Sequence, residues 1–448
     1  MPGIYRARLT PFAILIVLLL LTGSTITAQR ETSEWEPVTV TDAFGDEVTI
    51  TDPSRIITLG GAVTEVVYAL GWGENIVALD ESSIYPPEET ATLPQVGYLR
   101  FLSAEPVLSV APTLIIATED AGPEEAVLQL ENAGVTFLVV PAEDTLEGAR
   151  EKIRTIATAL NEVELGEEFI SRMDRDITRA QALVDTTETR PRVMFVYARG
   201  RAVLTVSGTG TGADEMIRLA GAENAIQDVE GYIPMTAEAV AAAQPDIILA
   251  ATLGADSVGE IGGLTNLPGV SLTPAAAEGR IYTMDDLYLL GFTPRLGDAI
   301  LDLTYLLHDE LPRPVPTVAR LTNRFPTLVE ALNISGLEDA LADNEAVTLF
   351  LPTEDAFNAL PTDLTDAIFN SAITVQAAIS FHTVEAVFTA DDLRGLDGSS
   401  VESWLGPPLN ITTDGDTVLV NGNPVIETLE AGNGIIHVID GVLVPERR

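Results

Sequence analysis

The segment Arg55-Ile56-Ile57-Thr58-Leu59-Gly60-Gly61-Ala62-Val63-Thr64-Glu65 sets the reading of this chain. Its first five residues have the apolar, β-branched character of a strand buried on both faces, the glycine pair makes a turn, and a helix opens over Thr64 to Leu70. Outward from it, Leu114–Ala117, Thr136–Val140 and Val193–Tyr197 read as further strands alternating with helical patterns. That alternation is the signature of α/β units. Between Thr145 and Thr186, apolar residues at Ile153, Ile156, Ala157, Leu160, Phe169, Ile170 and Met173 keep a helical period, which predicts a connecting helix interrupted near Gly166. A second α/β run follows from Arg192 to about His308.

An internal echo relates the two runs. Ser103-Ala104-Glu105-Pro106-Val107 leads into Pro112-Thr113-Leu114-Ile115-Ile116-Ala117, and Thr236-Ala237-Glu238-Ala239-Val240 leads into Pro245-Asp246-Ile247-Ile248-Leu249-Ala250. Each is a capped helical turn with an acid in its first turn, then a proline and a strand. The predicted fold is α/β, with two Rossmann-like lobes over 38–144 and 190–308 joined by a long helix over 145–186, together one domain over 38–310. Leu311-Pro312-Arg313-Pro314-Val315-Pro316 reads as a stiff linker, because proline suits neither a helix interior nor a central strand. Beyond it an α+β domain is expected over 317–446. Its predicted parts are a helix over Thr317–Ala331, a strand over Val347–Leu351, a helix around Asp355–Leu360, and strands around Leu409–Ile411, Val418–Val420 and Ile435–Val438, with a turn at Asn421-Gly422.

Composition narrows the function. With 24 Lys plus Arg against 67 Asp plus Glu the net charge is −43, and no basic run offers phosphate a footing, so nucleic acid is excluded as a partner. At 46% hydrophobic and 20% charged, the chain is built for packed cores. It has no cysteine, hence no thiolate metal site and no cysteine for lipid attachment, and its three histidines, His308, His382 and His437, all lie late. Arg6 and Arg8 followed by the apolar run Phe12–Leu21 predict an export signal over 1–28, either cleaved after Ala28 or kept as an anchor. No nucleophile elbow occurs, and Gly208-Thr209-Gly210-Thr211-Gly212 lacks the lysine of a phosphate loop, so it reads as a loop bordering a cleft and the chain as no enzyme.

Residues 38–308 resemble the substrate-binding proteins of ABC importers in the class that handles haem, ferric siderophores and cobalamin, and within it the hemin-binding proteins. The likeness rests on Gly60-Gly61-Ala62-Val63-Thr64-Glu65, Val96-Gly97-Tyr98-Leu99-Arg100 with Leu102-Ser103-Ala104-Glu105, and Glu119-Asp120-Ala121-Gly122-Pro123. It continues through Gly231-Tyr232-Ile233-Pro234-Met235-Thr236-Ala237-Glu238, Thr273-Pro274-Ala275 and Leu290-Gly291-Phe292-Thr293-Pro294-Arg295. The resemblance implies a two-lobed clamp with ferric haem in its cleft and an ABC permease, driven by its ATPase, docked on the lobe tips. It implies that Tyr98 is an axial ligand to the iron, and a phenolate is a hard donor suited to ferric iron. Arg100, if the segment is extended, shares a face with Tyr98 and either lowers the phenol pKa or pairs with a propionate. The alternative is a half-buried aromatic beside a solvated charge. Tyr232, Met235 and Met284 are candidates to line the opposite side, and Arg199, Arg201 and Arg295 are candidate propionate partners. Glu105 and Glu238 fit the acids that pair with permease arginines, or are helix-capping acids only. A ferric-siderophore or cobalamin carrier is the alternative within the class.

Residues 317–445 resemble the fasciclin domain through Thr348-Leu349-Phe350-Leu351-Pro352-Thr353-Glu354-Asp355-Ala356-Phe357, Phe381-His382-Thr383-Val384 and Asn433-Gly434-Ile435-Ile436-His437-Val438-Ile439-Asp440-Gly441-Val442-Leu443-Val444-Pro445. The resemblance implies an extracellular module for envelope, cell-surface or matrix contact, and adhesion through it is a further reading of the chain. His382 and His437 are expected to be structural.

Overall fold

The computed structural model describes residues 35–322 and 324–445, so the expected export signal lies outside the described residues. The described chain divides into two units, which meet in sequence between Leu311 and Pro312.

In the first unit a hairpin of β1 (Val38–Thr41) and β2 (Glu47–Ile50) precedes a parallel sheet of β3 (Ile56–Leu59), β4 (Ile76–Leu79), β5 (Leu114–Thr118) and β6 (Thr136–Val140), in the order β4-β3-β5-β6. Every residue of β3 and β5 is buried, as expected of strands covered by helices on both faces. Period-two alternation sorts them: Ile56, Leu114, Ile116, Leu138 and Val140 join one core, and Ile57, Ile115, Ala117, Phe137 and Val139 the other.

The helical stretch between the lobes is two helices, Leu146–Ala159 and Val163–Val184. Thr145 caps the first by accepting a hydrogen bond from Gly148 N at 3.0 Å. The break falls at Asn161, which adopts φ +57°, rather than near Gly166. Gly166 lies inside the second helix where it meets the first, and a β-carbon there would come within 2.5 Å of Ala157 Cβ. This glycine therefore serves close approach and not interruption. The Val163–Val184 helix carries the chain into the second lobe and packs along the Leu296–Leu307 helix.

The second lobe is a mixed sheet of β7 (Arg192–Arg199), β8 (Val203–Ser207), β9 (Glu223–Asn224), β10 (Tyr232–Pro234), β11 (Ile247–Ala251) and β12 (Ile281–Met284). The order is β10-β8-β7-β11-β12, with β9 on the start of β7; β7, β11 and β12 run parallel, while β8 and β10 add antiparallel. The echoed segments are the helices Ala104–Ser109 before β5 and Ala237–Ala243 before β11.

The second unit contains β13 (Val347–Pro352), β14 (Thr383–Val384), β15 (Ser399–Glu402), β16 (Pro408–Asp414), β17 (Thr417–Val420), β18 (Asn423–Ala431) and β19 (Gly434–Ile439), ordered β14-β13-β19-β18-β17-β16-β15. Only β13 and β19 pair in parallel. Asn421 and Gly422 both take positive φ, +48° and +85°, as a tight turn between β17 and β18 demands. Two expectations shift here. The linker is shorter, because Val315-Pro316 already forms the first turn of the Val315–Leu321 helix, where proline is tolerated. The helix expected over Thr317–Ala331 is split, and Pro326 starts a second one, Pro326–Ser335.

Candidate functional site

The Gly60-Gly61 turn is shaped by Asp80 and Ser82, which accept hydrogen bonds from Gly60 N at 2.9 Å and Gly61 N at 3.0 Å. It launches the Gly61–Ala69 helix and so places Glu65, which is 3% exposed, at the boundary between the lobes. Arg295, from the segment leading into the Leu296–Leu307 helix, meets it with two hydrogen bonds of 2.8 and 2.7 Å to the carboxylate. The guanidinium lies 3.7 Å from the Tyr85 ring centroid and 5.1 Å from that of Tyr288. Burial works against its charge, but Glu65 outweighs that and holds the pKa above its ordinary value. Arg295, expected as a propionate partner, is instead committed to Glu65, because a bidentate carboxylate already fills its planar fork.

Above this junction, Gly97 takes φ +97° and Tyr98 caps a single 3-10 turn, Leu99–Phe101. Leu99 is buried, while hydrogen bonds from Leu102 N to Gly122 O (2.8 Å) and Gly122 N to Leu99 O (2.9 Å) tie the turn to the Gly122-Pro123 loop. Tyr98 is half-buried against the core of the first lobe, and its ring lies 6.1 Å from that of Phe101, which is 80% exposed. The segment is thus turned rather than extended, and Arg100 points to Asp120, paired at 2.6 Å. That hydrogen bond raises the Arg100 pKa against some desolvation, and Tyr98 and, from the second lobe, Tyr197 add to the effect.

The second lobe presents a tyrosine face. On β7, Met194, Val196 and Ala198 belong to the lobe core, so Tyr197 and Arg199 face the other way. Register pairs Tyr197 with Thr205 and Tyr232 with Ser207, which puts both tyrosines on one side of the sheet, ring centroids 5.9 Å apart. Arg199 lies 5.7 Å from the Tyr197 ring, and Arg201 is exposed in the same β7–β8 turn. Desolvation, with Asp144 and Tyr197 adding, pushes the Tyr232 phenol up to about 12, so it is neutral near pH 7. Met235 and Met284 are buried and pack rather than line the gap.

Besides Tyr197, sequence reasoning missed two residues that lie near these groups. Asp144 reaches the Gly212–Leu219 helix of the second lobe so closely that a β-carbon on Gly212 would lie 2.9 Å from its Oδ2. Desolvation raises its pKa, Lys152 and Arg100 oppose this, and Asp120 adds to it. Lys152 is buried behind it, its pKa lowered by desolvation against the pull of Asp144 and Glu65. The alternation on β7 could have revealed Tyr197; nothing local in the sequence marks Asp144. Glu105 and Glu238 stand exposed in the first turns of the Ala104–Ser109 and Ala237–Ala243 helices, and Thr236 caps the latter. Among the described residues no group of three or more histidines and acids could hold a bare metal ion.

In the second unit His437 bridges Thr428 Oγ1 at 2.9 Å and Phe388 O at 2.8 Å. His382 hydrogen-bonds Ala378 O at 2.8 Å and accepts from Leu443 N at 2.9 Å. Both rings are fully used inside the fold.

The profile of the periplasmic binding protein family matches residues 56–288, and that of the fasciclin domain residues 323–445. Among solved structures the chain is similar to the periplasmic heme-binding protein RhuT from Roseiflexus sp. RS-1, at 43% identity and TM-score 0.56, covering 57% of this chain and 98% of that one. It is 26% identical to an uncharacterized ABC transporter substrate-binding lipoprotein, YvrC, of Bacillus subtilis, over 66% of this chain and 96% of that protein. It is 29% identical to the vitamin B12-binding protein of Pectobacterium carotovorum, over 44% of this chain and 71% of the relative.

Proposed function

Because the chain belongs to the periplasmic binding protein family and carries a fasciclin domain, we propose that it captures ferric haem outside the cytoplasm and delivers it to an ABC permease. The observation that carries this reading is the placement of Tyr98. It sits on a turn pinned at both sides, partly open, beside Arg100, whose charge also feels Tyr197 from the paired tyrosines of the second lobe. Flat aromatic walls suit a porphyrin, and a phenolate oxygen suits ferric iron. Likeness to heme-binding structures supports the same ligand. No histidine lies between residues 38 and 307, so the iron opposite Tyr98 is left to water or stays five-coordinate. Arg199 and Arg201 are the propionate partners in this reading, since Arg100 already has Asp120 and Arg295 has Glu65. Glu105 and Glu238, exposed on equivalent helices, are the acids that meet the permease, where a fixed pair of charges sets orientation and encounter rate. The fasciclin unit holds the carrier at the envelope or to a surface partner.

Titrating the purified protein with hemin tests the proposal. A ferric-tyrosinate spectrum is expected, and Tyr98→Phe should weaken binding at least tenfold and abolish that spectrum; an unchanged spectrum in the variant removes Tyr98 from the role. Likeness to a vitamin B12-binding protein favours cobalamin as the second reading, and displacement of hemin by equimolar cobalamin would decide for it.

A further inference from the structure

We propose that the fasciclin unit holds a binding site for a free, uncharged hydrocarbon chain, seated beneath the helix Thr362–Phe369, which acts as its cover. The site belongs wholly to the second unit, and nothing in it depends on the haem reading.

Three observations carry it. First, the unit surrounds a cavity of about 30 Å³ whose wall is hydrocarbon. Leu349 of β13 forms one side, Leu328 and Ala331 of the Pro326–Ser335 helix another, and Val375 and Ile379 of the Ala372–His382 helix a third. His382 is the one lining side chain with polar atoms, and both its nitrogens are engaged, with Ala378 O and Leu443 N. A charged group on an occupant would find no partner in this wall, and burying it unpaired is costly. Second, the cover is loosely seated. The Thr362–Phe369 helix has no buried residue and no side-chain cap at its start, and it packs on the helix that follows it. A segment with so few buried contacts opens at small cost. Third, the cavity reaches the surface beside that helix. Ile368 and Phe369 line it yet are only half-buried, and Ile373, four residues beyond Phe369, is 63% exposed. Apolar side chains left in water at the edge of an apolar chamber make an entry for an apolar chain.

Size decides how the site fills. An apolar cavity of about 150 Å³ stays dry and takes up benzene, and this one is several-fold smaller. A chain of several carbons therefore enters only as the cover yields. That helix also carries Asp363 and Asp366, both exposed, in a chain of net charge −43, so an anionic chain is disfavoured at the mouth as well as inside.

The test uses the full chain and three probes: hexan-1-ol, sodium hexanoate and vesicles of zwitterionic phosphatidylcholine. Calorimetric titration gives affinities, and hydrogen exchange read by mass spectrometry locates the response. Hexanol should bind and slow exchange across 362–369, and hexanoate should bind about tenfold more weakly or worse. Ala331→Leu and Ala378→Leu fill the cavity from two different helices, and each should weaken hexanol binding by about tenfold or more. Thermal scans show which of the two is folded, and either one alone decides the point. The proposal is overturned if wild type binds no hexanol, if a folded filled variant binds it as wild type does, if hexanoate binds as tightly, or if exchange across 362–369 does not slow. Cosedimentation with the vesicles without binding of free hexanol would assign the apolar wall to a membrane, and overturns it as well.

Discussion

Removing Glu65 alone should damage the Trp35–Leu311 unit more than removing Glu65 and Arg295 together. The pair is 3% and 18% exposed, joined by two short hydrogen bonds, with the guanidinium set against Tyr85 and Tyr288. Glu65→Gln keeps the shape but leaves a buried guanidinium without its counter-charge, and breaking a buried pair on one side costs about 3–5 kcal/mol. Arg295 cannot escape by losing its proton. For a unit of this size a loss of about 4 kcal/mol lowers Tm by roughly 8–12 °C. The double variant Glu65→Gln/Arg295→Met removes both charges and fills the slot between the rings with an unbranched side chain, so its cost should fall to about 1–2 kcal/mol. In a Trp404→Phe background, urea unfolding followed by tryptophan fluorescence reads this unit through Trp35 and Trp72, whose rings lie 5.6 Å apart. If the single and double variants unfold at the same urea concentration, or the single variant loses less than about 1 kcal/mol, the pair is not the clasp between lobes argued above.

Two further outcomes concern the fasciclin unit. Burial lowers the His382 pKa from its ordinary range to about 4, so the folded state holds it neutral while the unfolded chain protonates near pH 6.5. Its contribution is complete above pH 6.5 and is lost as pH falls through 4, about 3 kcal/mol in all; the acid-induced loss measured by urea midpoints should shrink by that amount in His382→Gln, and an identical pH profile in the variant would refute it. Asn433 donates to the carbonyls of Leu341 (2.7 Å), Ala342 (3.2 Å) and Asn344 (2.9 Å) and accepts from Val315 N at 2.9 Å. Asn433→Ala should cost roughly 2–4 kcal/mol by calorimetry, against near-neutral Asn410→Ala on the exposed side of β16.

What could be read from the chain and what could not divide along physical lines. β3, β5 and β11 announce themselves because a strand buried on both faces must be an unbroken apolar run, and Asn421-Gly422 because few residues tolerate two successive positive φ values. Tyr98 is singled out by the motif around it, and its role is the one proposed above. The fate of Arg295 was not, since its partner stands 230 residues away and a bidentate contact leaves no local trace. Arg100 misled for another reason: sharing a face with Tyr98 presumes an extended segment, whereas Leu99–Phe101 turns and presents Arg100 to Asp120. Asp144 goes unremarked as one acid among 67, because the neighbour it reaches, Gly212, stands on the opposite lobe.

The 22-residue Val163–Val184 helix, about 33 Å long, acts like a rod braced along its flank by the Leu296–Leu307 helix. A rod offers no joint, so the two halves can rock by small angles but cannot gape and snap shut. In the carrier reading proposed above, capture would then spend little ordering entropy, arrival would be governed by diffusion and ionic strength, and the burden of letting go would fall on the machinery that receives the cargo.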